Sequence, residues 1–382
     1  MKYDYIIVGS GVSGLTFAHL ASNSGYKCLV IEKLHHLGGM LYSEKQHNID
    51  VHMYGPHIFH TSKKYIWNFV NSISTFIPFI NSPLAVAEDG NIYNLPFNMN
   101  TFTKLWADIK TPHDAKERIS MHVEAYKKST NINEARNLEE QACMLVGREL
   151  YEKFIKSFTE KQWGRSCEQM PPGIITRIPI RYSYNNNYYT DIYQGIPLYG
   201  WTDFIDKLIT GVDVLYGTDF LSNMSHWQSL GKKIIYTGCI DAYFNYMYGH
   251  LPYRSAKWEH VCFDDYNHQG NPVINYISKE IPYTRTIEHK LFNPNDEELY
   301  LQSKTIVSYE YPTSWEPGQL PLYPIHTQDS VITHQKYNKL ALKEKNTIFL
   351  GRMGRYKYID IDTAIHEAFT LFNQLHVPNE KF

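Results

Sequence analysis

The first forty residues constrain this chain more than any other stretch. An apolar run from Tyr5 to Val8 leads into Gly9, Gly11 and Gly14. A helical stretch continues through Ala21, and a second apolar run from Cys28 to Ile31 ends on an acid, Glu32. Strand, glycine turn, helix and strand in that order predict a dinucleotide-binding βαβ unit. Gly9 permits the tight turn, Gly11 lets backbone N–H groups approach a pyrophosphate at the helix N-terminus, and Gly14 lets the helix pack on the strand. Glu32 is placed to accept from a ribose 2′-OH and would repel a 2′-phosphate, which narrows the cofactor to FAD or NAD. Leu37-Gly38-Gly39 follows almost at once. A second glycine pair there suits a chain that folds back along FAD, and FAD is the expectation.

A chain of 382 residues buries enough for two or three domains. Its formal net charge of −2, with both signs dispersed, argues against nucleic acid or an anionic membrane as partner. The five cysteines (Cys28, Cys143, Cys167, Cys239, Cys262) never fall in C-x-x-C spacing. Their scatter, odd number and spacing argue against a disulfide framework, a zinc site and a dithiol flavin reductase, and read as reduced thiols. With no charged leader and no apolar run of membrane-spanning length, a cytoplasmic protein is expected. Tyrosine is abundant, at 31 residues, which leaves some to line a site for a sugar or a base.

Farther along, His47 to Thr61 carries His52, His57 and His60 around Tyr54-Gly55-Pro56. With no carboxylate or cysteine ligand beside them, these histidines are expected to hydrogen-bond or to stack on a flavin; no metal is predicted. Leu84 to Leu95 reads as a hairpin turning at Asp89-Gly90. Helical periodicity then covers Asn100 to Lys110, Pro112 to Lys127 and Leu138 to Lys161, with Thr111-Pro112 and Asn137 as starts. Phe154, Phe158 and Trp163 recur near the end of this run, as a core stripe or as an aromatic shelf for a base. Arg177 and Arg181, interleaved with Tyr182, Tyr184, Tyr188, Tyr189 and Tyr193, could hold a diphosphate or decorate a solvated strand face.

Trp201 to Leu208 is expected as a helix capped by Thr202, and Lys232 to Thr237 as a strand returning to the nucleotide domain. The stretch Ser255 to Tyr311 reads as antiparallel strands. Within it Arg285 needs a partner, either an anion of the substrate or Glu288 or Glu310. Near the end, Asn346 to Leu350 is a strand, Gly351 to Gly354 a glycine turn, and Asp362 the cap of a helix from Thr363. The fold class is therefore α/β: a discontinuous Rossmann-like FAD domain (1–80, 195–250 and 335–382), a helical insertion (98–172) and an antiparallel sheet or substrate domain (81–97, 173–194 and 251–334).

At the level of whole motifs the chain resembles the UDP-galactopyranose mutase family. The markers are YGPHIFHT (54–61), EKQWG (160–164), RIPIRYSYNNNYY (177–189), YQGIP (193–197), LYPI (322–325) and GRMGRYKYIDID (351–362). The resemblance implies an isomerase that converts a nucleotide-diphospho-hexopyranose to its furanose, first of all UDP-galactopyranose, for cell-surface polysaccharide. Reduced FAD attacks the anomeric carbon through N5 with no net redox change, so an external reductant, NADPH or a reductase, is implied as well.

Residue by residue, the resemblance makes Arg177 and Arg285 the diphosphate clamp, with Tyr188, Tyr323 and Tyr358 as hydroxyl donors. It puts Phe154, Phe158 and Trp163 in the uridine and sugar pocket, Asn81, Asn275 and Asp360 at further site positions, His60 beside the flavin ring and Arg352 near its reactive edge. Cofactor contacts are expected from Gly9, Gly11, Gly14, Glu32, Gly38, Gly39, His57, Gly351, Arg352 and Asp360. Met40 and Ser82 depart from the family's usual Asn and Arg. UDP-N-acetylgalactopyranose and a dTDP-6-deoxyhexopyranose such as dTDP-fucopyranose stay open as substrates, as do an amine-oxidase-like oxidoreductase, a nucleotide-sugar sensor and a homodimer.

Overall fold

The computed structural model describes residues 1–175, 179–293 and 296–376. At its centre is a parallel sheet of five strands in the order Asp213–Leu215, Cys28–Ile31, Tyr3–Val8, Gly231–Tyr236, Thr347–Phe349. Parallel sheets are covered on both faces, and Tyr3–Val8 is accordingly buried along almost its whole length. Alternation along it sends Tyr5 and Ile7 into one core with Leu15, Phe17, Trp201 and Ile365, and Ile6 and Val8 into another with Phe220, Tyr236 and Tyr243. Helices Val12–Asn23 and Ile361–His376 pack together on the first face.

The second sheet has seven strands, in the order Tyr323–Pro324, Tyr253–Phe263, Thr305–Ser314, Arg285–Glu288, Val273–Tyr276, Leu84–Val86, Ile92–Asn94. The expected hairpin is present, with Gly90 at φ +76° in its turn. One junction departs from the expected antiparallel pattern: Val273–Tyr276 runs parallel to Leu84–Val86. Strands so distant in sequence reach each other through long connections, which are free to set either direction.

The helical insertion begins at Met99–Leu105 and continues in Pro112–Thr130. Thr111 caps the latter: its hydroxyl accepts from the Asp114 N–H (3.2 Å), and the Asp114 carboxylate accepts from the Thr111 N–H (2.8 Å). Thr111→Ala is expected to lower stability by about 1 kcal/mol, read as a lower urea midpoint at unchanged m-value.

The run expected as one helix from Leu138 to Lys161 is broken at Gly147, whose φ of +80° ends Leu138–Val146. A side chain at Gly147 would come within 2.4 Å of the His122 Cβ, so glycine lets the two helices close. The chain resumes through Arg148–Leu150, a π-helical turn at Tyr151–Lys156, and Ser157–Trp163.

Two expected caps are corrected. The helix Trp201–Leu208 starts after Gly200, and Thr202 lies inside it, its hydroxyl hydrogen-bonded to the Ser43 carbonyl. The last helix starts at Ile361, so Asp362 lies in its first turn, where its carboxylate accepts from Lys63 (2.8 Å) and Thr61 (3.1 Å). Among the described residues no helix is long and apolar enough to cross a membrane.

Candidate active site

A cavity of about 430 Å³ runs along the carboxyl ends of the parallel strands. Gly9, Gly11, Glu32, Gly38 and Gly39 line it, with His57, Gly351, Arg352 and Asp360. The glycines have distinct jobs. Gly9 sits at φ +92° against Thr237, whose Oγ1 would be 2.3 Å from any added Cβ, and a Cβ on Gly14 would lie 2.5 Å from the Gly9 carbonyl. Gly11 instead faces open space at the N-terminus of Val12–Asn23. An unobstructed helix N-terminus with free N–H groups is where a pyrophosphate binds. The Glu32 carboxylate is already oriented: it accepts from the Ser10 N–H (2.7 Å) and hydroxyl (2.6 Å) and from the Leu34 N–H (2.7 Å). Its remaining lone pairs fit a ribose hydroxyl.

His57 is one of the residues that line the cavity. Its Nε2 is buried and finds no hydrogen-bond partner among the described residues. Burial, then the nearby charges of His52 and Arg352, pull its pKa down to about 3. The imidazole is therefore neutral. Because the unfolded chain protonates His57 near pH 6.5 and the folded protein only near 3, its contribution is complete above 6.5 and is lost as pH falls through that window. His57→Gln is expected to flatten the dependence of the urea midpoint on pH between 6.5 and 4.

His60, expected beside the flavin, does not line this cavity. It lies on the strand Phe59–Thr61, where Phe59 is fully buried and successive side chains face opposite ways. Its Nδ1 is 2.7 Å from the Asp191 carboxylate, and its ring stacks on Tyr189 at 3.7 Å.

Beside the cavity, Arg352 bridges to a second group of side chains. Its terminal nitrogens donate to the carbonyls of Leu322 (3.1 Å) and Ile359 (2.6 Å), and the guanidinium lies over the rings of Tyr358 (4.7 Å) and Tyr323 (5.6 Å). The two phenols stack on each other at 5.8 Å. Arg285 feels Tyr188, Tyr323 and Tyr358 electrostatically, while Asp360 acts on Tyr188 and Tyr358. Crowding by protein raises the phenols of Tyr188, Tyr323 and Tyr358 above the usual range, with the Arg285 charge opposing it in each. Tyr188 and Tyr358 nevertheless remain 40% and 50% exposed, so both face an open cleft.

Of the two carboxylates expected as partners of Arg285, Glu310 is the one found, with Nε 3.3 Å from its Oε1. Glu288 is occupied by the N–H groups of His268 and Gln269 and by the Thr305 hydroxyl. Asn275 is the strand neighbour of Arg285 and donates to the Leu84 carbonyl at 3.2 Å. The Asn81 carbonyl accepts from the Tyr188 N–H at 2.7 Å. Trp163 lies 6.5 Å from Tyr323, at the end of its helix. Arg177 lies outside the described residues.

Three aromatic and cationic expectations are redistributed. Phe154 is 5% exposed and packs edge-on against Tyr93 and Phe97, so it belongs to the helical core and not to a sugar pocket. Phe158 is half-buried against the same core. Arg181 donates through Nη2 to the carbonyls of Tyr188 (3.4 Å) and Tyr189 (3.3 Å), bracing the tyrosine loop. Sequence reading missed Ser10, which orients Glu32, and Thr237, which walls the glycine turn and donates to the Val8 carbonyl (2.7 Å). The signal for Thr237 was its place directly after a strand parallel to the first.

The UDP-galactopyranose mutase family model matches residues 153–358, and an NAD(P)-binding Rossmann-like domain model matches residues 7–73. A Klebsiella pneumoniae protein named "Probable UDP-galactopyranose mutase" is 35% identical over 367 residues, covering 95% of this chain and 92% of its own. The chain belongs to the UDP-galactopyranose mutase family. Family members are isomerases, and a second relative, the dTDP-fucopyranose mutase of Escherichia coli, is 33% identical over 98% of this chain and 99% of its own. The fold agrees as well: a crystal structure of reduced UDP-galactopyranose mutase superposes with a TM-score of 0.76 at 13% identity, covering 99% of this chain and 96% of that one.

Proposed function

We propose that this mutase-family enzyme interconverts UDP-galactopyranose and UDP-galactofuranose, with FAD in the cavity described above and activity only in the reduced state. The observation that carries the reading is Arg352 on the wall of the cofactor cavity with its guanidinium over the stacked rings of Tyr323 and Tyr358, beside which the Arg285 charge acts on the phenols of Tyr188, Tyr323 and Tyr358. A cationic fork ringed by phenols suits a diphosphate leaving group, whose charge grows as the anomeric bond breaks.

When bound and reduced, the flavin supplies the nucleophile for the anomeric carbon. The chain's own residues do the rest. Arg285 and Arg177 hold the diphosphate, and Tyr188, Tyr323 and Tyr358 donate to it. Asn81, Asn275, Asp360 and Trp163 shape the nucleotide and sugar pocket. On the cofactor side, Gly9, Gly11, Gly14, Gly38, Gly39 and Gly351 admit the dinucleotide, Glu32 takes the ribose and His57 packs along the cofactor. His60 braces Tyr189 in this scheme. The three-part division, with 1–80, 195–250 and 335–382 holding the cofactor, 98–172 the helical insertion, and 81–97, 173–194 and 251–334 the substrate sheet, belongs to the same proposal. So do an external reductant and a cytoplasmic site of action.

The names of the relatives supply UDP-galactopyranose and dTDP-fucopyranose as candidates, and the N-acetyl sugar is the further alternative. Dithionite-reduced protein is to be incubated in parallel with UDP-galactose, UDP-N-acetylgalactosamine and dTDP-fucose, and the products separated by chromatography. Furanose from UDP-galactose is expected. Furanose from dTDP-fucose alone would move the assignment to a deoxyhexose, and no product from any would overturn it.

A further inference from the structure

The helix Ser157–Trp163 is fastened to the seven-stranded sheet by two cations, neither of which has an acidic partner among the described residues. Lys161 Nζ donates to three backbone carbonyls, Tyr276 (2.7 Å), Ser278 (2.7 Å) and Ile281 (2.9 Å). Those carbonyls belong to the segment that leaves Val273–Tyr276, and Asn275 immediately precedes the first of them. In the opposite direction Arg254, 4% exposed on Tyr253–Phe263, donates through Nε to the Gln162 carbonyl (2.9 Å) and through Nη2 to that of Lys161 (3.4 Å). Its Nη1 donates to the Ser314 hydroxyl at 3.1 Å. Gly164, at φ +66°, ends the helix against this guanidinium, where a Cβ would lie 2.6 Å from Nη1.

We propose that Lys161 and Arg254 form a reciprocal clasp that fixes Trp163 over the substrate cleft, which makes Lys161 a positioning residue for nucleotide-sugar binding. The inference rests on the reading of the cleft given above. An ammonium has three donors, and here all three reach carbonyls, so the side chain defines the distance between helix and sheet more tightly than apolar packing does. The Arg254 donors cover the carbonyls that the helix leaves open at its C-terminus. Both ends of the clasp lie next to cleft residues: Trp163 two positions beyond Lys161, Asn275 one before Tyr276, and Tyr323 paired with Arg254 in register. The π-helical turn just upstream supports a functional setting, since such turns collect at sites where a helix must be re-aimed. Lys279 and Glu160 pair across the same contact at 2.5 Å, but Lys279 is largely exposed and touches none of the cleft residues' carbonyls.

The test is the affinity for UDP, measured by calorimetry on flavin-loaded protein, together with steady-state kinetics. In Lys161→Met, UDP is expected to bind at least tenfold more weakly and KM to rise in step. kcat is expected to stay within threefold and the flavin content to be unchanged. Lys279→Met is expected to stay within twofold of the wild type. Should Lys161→Met not accumulate as folded protein, Lys161→Gln, with two N–H donors for three carbonyls, is judged by the same criterion. Wild-type affinity in the Lys161 variant overturns the clasp, as does an equal loss in Lys279→Met, which would indicate general loosening. If the wild type itself binds neither UDP nor dTDP, the reading of the cleft fails first.

Discussion

Replacing Arg285 by methionine is expected to reduce turnover of the reduced enzyme by about a thousandfold or more, because a preorganised cation facing the leaving diphosphate stabilises charge that is largest in the transition state. The geometry makes the effect specific. Arg285 sits at the start of the strand Arg285–Glu288, its Nε toward Glu310 and its charge felt by Tyr188, Tyr323 and Tyr358. Methionine keeps most of the packing volume but leaves Glu310, 3% exposed, with the Thr284 hydroxyl and no cation. Some loss of stability therefore accompanies the loss of rate, and Arg285→Lys separates the two. Lysine keeps the charge beside Glu310 and so recovers stability, but it lacks the fork that grips two phosphate oxygens and recovers little turnover. Parallel thermal melts and steady-state assays check this; a methionine variant that turns over within tenfold of the wild type would remove Arg285 from the site.

The second large effect is expected at Gly14. A valine there would drive its Cβ to 2.5 Å from the Gly9 carbonyl and 3.0 Å from the Ile7 Cγ2, both parts of the central strand and its turn. Neither can give way, since Ile7 is fully buried and Gly9 is already wedged against Thr237. The helix Val12–Asn23 must then lift off the sheet, which costs about 3 kcal/mol in overpacking and pulls its N-terminal N–H groups away from the pyrophosphate position. Gly14→Val protein is expected to be purified without flavin and to melt well below the wild type. Full flavin occupancy in that variant would contradict the assigned cofactor position.

The elements that were legible in the sequence are those whose signal is local. The Thr111 and Asn137 caps each depend on bonds within a few residues, and the structure places them as read. The turn at Asp89-Gly90 belongs with them. What sequence did not resolve depends on which way a side chain faces. Phe154 and Trp163 share one periodic run, yet Phe154 lies within the π-helical turn and is buried in the helical core, while Trp163 beyond it packs only partly against that core and reaches Tyr323. His57 and His60 stand three residues apart, but His57 precedes the short strand Phe59–Thr61 and lines the cavity, whereas His60 lies on that strand and stacks on Tyr189. Arg181 looked like half of an anion clamp because its carbonyl partners, on Tyr188 and Tyr189, lie across a loop that has no periodicity to read.

In the proposed reaction the reduced cofactor acts as a nucleophile and is returned unchanged. This is tested most directly by counting product per flavin under anaerobic conditions. Protein reduced with dithionite and freed of excess reductant is mixed with a large molar excess of UDP-galactose while the flavin absorbance is followed. The account predicts many equivalents of furanose for each flavin, with the absorbance remaining that of the reduced form. Reoxidation of the flavin in step with at most one equivalent of product would contradict it and identify an oxidoreductase.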